Sequence, residues 1–162
     1  GLIKNQQPHF GVIASPVSRR IIIGGEDIGA YIFSFDEFDH PEKWKKLAYI
    51  STINKPVVVI SSRSHYSGDL LSIIQNIEKN YGEIAYARMG SALKFFDLAQ
   101  GKADIYHRLA PTMEWDIAAG HAIYKAVGGE VLNLETNLPL TYNKESLFNP
   151  YFIASKKIMK LK

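Results

Sequence analysis

The sequence predicts a mixed α/β chain in two parts, an antiparallel meander followed by a sheet flanked by helices. Three observations predict it. Residues 10–35, FGVIASPVSRRIIIGGEDIGAYIFSF, break short β-branched and aromatic runs with Ser-Pro and Gly-Gly, the pattern of hairpins. VVVISS at 57–62 is apolar without alternation, as in a strand covered on both faces. From Lys55 onward, strand-like and helix-like segments alternate. The expected division is therefore 1–54, a partial N-terminal antiparallel sheet segment with its connector, and 55–162, an α/β domain.

In order along the chain, strands are expected near 10–15, 19–23 and 29–34. Three such strands have no companion helix within their own segment, so they bury one face at best and look like part of a larger sheet. Residues 36–54 read as a polar connector with a helical turn, and EKWKK (42–46) as a solvated helix face. After the strand at 57–62, GDLLSIIQNIEKNYG predicts a helix with Leu70, Ile74 and Ile77 on one face and Gly82 as its stop. IAYAR (84–88) is a strand, SALKFFDLAQG a helix closed by Gly101, and ADIYHRLA a third strand. Asp116–Val127 predicts a helix stopped by Gly128-Gly129. VLNL (131–134) and YFIAS (151–155) are the last strands.

The bulk numbers remove several classes. With 162 residues the chain can hold a real core. It has no cysteine, hence no disulfide, thiolate metal site or cysteine nucleophile. No apolar run approaches the roughly 20 residues of a membrane span, and GLIKNQQPHF lacks the apolar core of a signal peptide, so a cytoplasmic location is expected. The net charge is only +3 and no basic stripe is interleaved with aromatics, which argues against a nucleic-acid surface.

Candidate site residues collect at strand ends and helix starts. Asp116 opens a helix whose residues are mostly small or apolar. It can cap free N–H groups and meet the positive end of the dipole. Held rigidly there, it can equally ligate a hard cation such as Mg²⁺, and the nearby N–H groups can receive a phosphate. SSRSH (61–65) follows a strand, where open sheets place ligands, and offers Arg63, Ser64 and His65; the plainer reading is a polar turn. GSALK (90–94) repeats the arrangement, with Ser91 as an N-cap and Lys94 a turn later, either on the ligand or simply exposed. Arg108 sits in a strand, where a charge wants a partner or a pocket, while His107 points to the other face as a structural or exposed residue. Together these residues outline one anionic-ligand rim.

WDIAAGHAIYKAVGGEV resembles the C-terminal signature of the inositol monophosphatase superfamily. SRSH (62–65), GSALKFFDLAQGKADIYHRLAPTMEWD (90–116) and ESLFNPYFIAS (145–155) are similar to the CysQ-type 3′(2′),5′-bisphosphate nucleotidases, and the similarity runs from about residue 5 to about 155. The resemblance implies a sugar-phosphatase-like fold and a Mg²⁺-dependent, lithium-sensitive phosphatase of sulfur metabolism that converts adenosine 3′,5′-bisphosphate to AMP and phosphate. It implies that Asp116 ligates the catalytic metal. It further implies that Ser64, His65, Gly90, Ser91, Lys94 and Arg108 face the nucleotide. His107 and Ala110 depart from the proline and glycine usual in that subgroup. The family's remaining metal ligands, a Glu pair and an Asp-Pro-x-Asp-Gly-Thr loop, have no counterpart in the sequence. The expectation is therefore a truncated relative, inactive alone, whose Mg²⁺ site is incomplete and whose partner is a separately encoded N-terminal half or a second copy. The alternatives are an inositol monophosphatase-type phosphatase, or a non-catalytic phosphate-binding or interaction module.

Overall fold

Two sheets form, and small residues decide what lies between them. The computed structural model describes residues 1–61 and 68–159. The first sheet runs in sequence order through β1 (Leu2–Lys4), β2 (Gln7–Ser15), β3 (Arg20–Gly25), β4 (Gly29–Ser34) and β5 (Lys45–Lys46), all antiparallel. The expected meander is its centre, with Ile22 facing Ile13 on one side and Ile32 on the other. The two outer strands were not expected. β1 turns into β2 through Asn5 and Gln6, both at positive φ (51° and 59°). That turn lacks the Asn-Gly pair by which it is usually read.

EKWKK is not a helix face. Pro41–Lys43 makes a single 3-10 turn and Lys45–Lys46 is strand. Trp44 folds onto the sheet, stacking on Phe33 with centroids 4.0 Å apart, and its indole N–H donates to the Glu37 carbonyl at 2.8 Å. One aromatic with that much surface to bury outweighs the helix propensity of its lysine neighbours.

The second sheet has the order β7 (Ile84–Arg88), β6 (Val57–Ser61), β8 (Ile105–Arg108), β10 (Phe152–Lys156), β9 (Gly129–Asn133). β6 lies parallel to β7 and β8, whereas β10 lies antiparallel to β8 and β9. Helix α1 (Gly68–Tyr81) covers one face, packing Ile74 and Ile77 on Val57, Val59, Ile105 and Ile153. On the other face lie α2 (Lys94–Ala99) and α3 (Glu114–Ala126). Helices thus flank the sheet on both faces, as the alternation predicted. No helix among the described residues is long and apolar enough to cross a membrane.

Helix α3 also gives the meander the helical cover its own segment lacks. Ile13, Ile22 and Ile32 of the first sheet share one core with Ile117 and Ile123 of α3 and with Tyr106 and Phe152 of the second sheet. The approach is close enough to need glycine. A Cβ on Gly11 would stand 2.1 Å from the Ala119 carbonyl oxygen, and one on Gly24 would stand 3.2 Å from the Ile123 Cα. The connector is fixed by a buried ion pair. Lys156 and Asp104, both sealed from solvent, bond each other. Asp104 also accepts from the N–H groups of Asn54 (3.0 Å) and Val58 (2.7 Å), while Lys156 donates to the Thr52 carbonyl at 3.0 Å. With every charge partnered, the pair is tolerable inside.

Gly11→Ala should therefore destabilise the fold by about 3 kcal/mol, since backbone, not a flexible side chain, blocks the new methyl. Gly90→Ala, whose Cβ would meet nothing within 4 Å, should stay within about 0.5 kcal/mol of the parent. Urea unfolding of the two variants checks this, and equal stabilities would refute the close approach.

Candidate functional site

Strand alternation points Tyr106 and Arg108 of β8 to the same side, toward α2 and α3. The starts of both helices meet the end of that strand. Ser91, Lys94, Tyr106, Arg108, Trp115 and Asp116 all line the resulting cleft, whose volume is about 360 Å³. Strand-end and helix-start residues thus converge there from β8, from the 3-10 turn Ser91–Leu93, and from helices α2 and α3.

Lys94 is not the exposed lysine of a plain cap. It is 4% exposed. Its ammonium donates to the Ser91 carbonyl at 3.2 Å and sits 5.1 Å from the centre of the Tyr106 ring. Burial, and secondarily the Arg108 charge, lowers its pKa. Arg108 donates from Nε to the Ala110 carbonyl at 3.2 Å and from Nη2 to the Pro111 carbonyl at 3.4 Å. Among the described residues no carboxylate forms an ion pair with either cation. Tyr106 is their neutral floor. Its hydroxyl pKa is pushed up to about 12, by burial first, with Arg108 lowering it and Asp116 raising it.

Asp116 is exposed and lies two residues deeper in the helix than expected. The helix starts at Glu114 and takes Met113 as N-cap, so Asp116 is its third residue. Methionine has no oxygen to cap with. The acid reaches back instead, and Asp116 Oδ2 accepts the Met113 N–H at 2.8 Å. One oxygen is thus engaged locally while the other is open to the cleft. A hard divalent cation wants about six oxygens. Among the described residues there is no group of three or more His, Cys, Asp and Glu that could hold one. The residues here do not fit a complete magnesium site, although Asp116 can give one ligand.

Ser91 does not act as the N-cap. Gly90 does, and Ser91 follows at φ 55° in a short 3-10 turn (Ser91–Leu93) without a side-chain cap bond. Gly90 itself is exposed beside the cleft rather than lining it. Arg63, Ser64 and His65 lie outside the described residues. His107 points away from the cleft, as strand alternation required. It is buried rather than exposed, and its Nδ1 has no partner. Sequence reasoning missed Tyr106 and Trp115. The i, i+2 spacing of Tyr106 and Arg108 in one strand was the signal available for the first.

The inositol monophosphatase family model matches residues 1–160. The chain is 34% identical over 161 residues to the 3′(2′),5′-bisphosphate nucleotidase CysQ of Escherichia coli (strain K12), covering 95% of this chain and 57% of that relative. It is 36% identical over 159 residues to the protein of the same name from Buchnera aphidicola, covering 95% and 54%. Among solved structures, CysQ from Bacteroides thetaiotaomicron superposes with a TM-score of 0.82 at 36% identity, over 97% of this chain and 61% of that one. Staphylococcal inositol monophosphatase II, at 20% identity and a TM-score of 0.68, shares the fold. The chain spans a little over half the length of the curated relatives it matches.

Burial drives the His107 pKa from 6.5 to about 4. The unfolded chain therefore binds a proton that the folded chain refuses between those values. Stability should be intact above about pH 6.5 and fall by up to about 1.4 kcal/mol per pH unit below it, levelling near pH 4. His121, buried in α3 with its pKa lowered to about 3, acts in the same direction. Urea midpoints between pH 7 and 4.5 measure the slope. His107→Gln should flatten it, and an unchanged slope would exclude His107 as a source.

Proposed function

The chain belongs to the inositol monophosphatase family, and on that footing we propose that its cleft holds the phosphate of a small phosphorylated metabolite, with adenosine 3′,5′-bisphosphate as substrate and AMP as product. One observation carries the reading. Two cations, one of them buried, line a single cleft with no acid paired to either among the described residues. A buried ammonium without an anion is costly, and a phosphate supplied from solution removes that cost. In phosphoryl transfer the same two charges would neutralise the oxygens on which charge develops.

The nucleotide, rather than an inositol phosphate, is favoured by Trp115. It is 65% exposed at the cleft, where a purine can cover its ring. The names of the relatives near 35% identity point the same way. Magnesium, when bound, would add charge neutralisation and an activated water. Asp116 is proposed as one of its ligands. Among the described residues no acidic cluster joins it, so binding rather than fast hydrolysis is what these residues support by themselves.

Calorimetric titration with AMP tests this. Lys94→Met and Arg108→Met should each weaken binding by at least about tenfold, the worth of a charge-assisted hydrogen bond. Trp115→Ala should weaken AMP more than inorganic phosphate. Affinity should also drop on the alkaline side earlier than an exposed lysine would allow, because burial lowers the Lys94 pKa. AMP binding untouched by both cation variants would end the proposal.

Phosphate release makes a separate check. With Mg²⁺ and adenosine 3′,5′-bisphosphate, the chain alone should stay near background. Robust turnover abolished by Asp116→Asn would show that the metal site is more complete than its described donors.

A further inference from the structure

Just before β10, the segment 145–150 makes several bonds to the start of α3. We infer that Asn149 is a positioning residue for Asp116: it holds the acid at the cleft mouth and keeps it out of the anion site. The inference rests on the cleft being an anion site.

Two peptide units connect Asn149 to Asp116. Asn149 is 8% exposed and precedes Pro150, which confines its backbone to extended conformations. Its backbone N–H donates to the Thr112 carbonyl at 2.8 Å. A planar trans peptide points its N–H opposite to its C=O. Fixing the Thr112 carbonyl therefore aims the Met113 N–H the other way, and that N–H meets Asp116 Oδ2 at 2.8 Å.

The next peptide is pinned as well. The Asn149 side-chain NH₂ donates to the Met113 carbonyl at 2.7 Å and to Thr112 Oγ1 at 3.1 Å. The Met113 carbonyl also accepts the Asp116 N–H at 3.0 Å, and the Glu114 N–H donates to the Leu147 carbonyl at 2.9 Å. Among the described residues the Met113 backbone groups thus bond Asn149 and Asp116, and the peptide that follows is held by Leu147. Asn149 acts through its donors, because its Oδ1 has no partner.

The reason to hold the acid is electrostatic. Asp116 shares the cleft with Lys94 and Arg108. Released from Met113, its carboxylate can swing toward them and compete with the phosphate. Asn149→Ala should therefore weaken AMP binding about threefold to tenfold when position 116 carries a charge. It should change binding by less than about 1.5-fold when position 116 is Asn, since a neutral side chain does not compete.

The test is a double-mutant cycle by titration calorimetry with AMP on the parent, Asn149→Ala, Asp116→Asn and the double variant. Hydrogen exchange of the Met113 amide is followed in parallel. The expected result is a coupled effect on affinity, together with about tenfold faster Met113 exchange in Asn149→Ala. The same loss of affinity in both backgrounds, or unchanged Met113 exchange, would overturn the inference and leave Asn149 merely structural. Should Asn149→Ala fail to fold, Thr112→Val removes one of the two side-chain acceptors. It should then give about a twofold loss that again depends on Asp116. Lys94→Met separates the two claims. If that variant still binds AMP, the anion reading fails, and with it the competition argument. If it loses AMP while the Asn149 effects are additive, only the positioning claim fails.

Discussion

The distance of closest approach between helix α3 and the first sheet is the constraint on which the rest depends. Gly11 faces the Ala119 carbonyl with no room for a methyl group. Gly120, one residue on, faces the ring of Phe95 in α2 just as tightly. Small residues on both sides of α3 let it serve two sheets at once, so one core runs through the molecule. That packing leaves little freedom for the helix to slide or rotate. The position of its N-terminus relative to the end of β8 follows, and so does the place of Asp116 opposite Arg108.

The electrostatics of the cleft build on that frame. Lys94 enters the interior at the start of α2, over a tyrosine instead of a carboxylate. An aromatic face attracts an ammonium without neutralising it. A carboxylate in that place would satisfy the lysine permanently and close the site to anions. Because Tyr106 stays protonated across the physiological range, the floor stays neutral. The fold contains fully compensated buried charge elsewhere, in the Lys156 and Asp104 pair. The contrast between that pair and the cleft cations, which have no acid paired to them among the described residues, is what separates a structural charge from one available to a ligand.

Much of this was legible in the sequence, for physical reasons. Gly-Gly and Ser-Pro punctuation located the hairpins, and uninterrupted apolar runs located the strands of the second sheet. Strand ends and helix starts named Lys94, Arg108 and Asp116 because a charge in such a place needs an explanation. What stayed hidden depended on contacts distant in the chain. Trp44 left its lysine neighbours for Phe33, and no periodicity announces one stacking partner. The Asn5–Gln6 turn has no composition signal. Ser91 lost the cap position to Gly90, and Asp116 lies two residues into α3 instead of opening it, because helix starts are set by tertiary packing as much as by capping residues. For Lys94 the sequence left ligand contact and plain exposure open, because a lysine is normally solvated; its burial against Tyr106, twelve residues later, decides between them. Asn149 carried no local hint, since its partners Thr112 and Met113 precede it by all of α3 and β9.

An anion from solution would complete the charge balance around Lys94 and Arg108. The most direct measurement is an amide NMR spectrum titrated with inorganic phosphate. Anion binding there should give saturable shifts concentrated at residues 90–95, at Arg108 and at 112–117, with the strands of the first sheet unmoved. Shifts that never saturate, or that gather away from these residues, would contradict it.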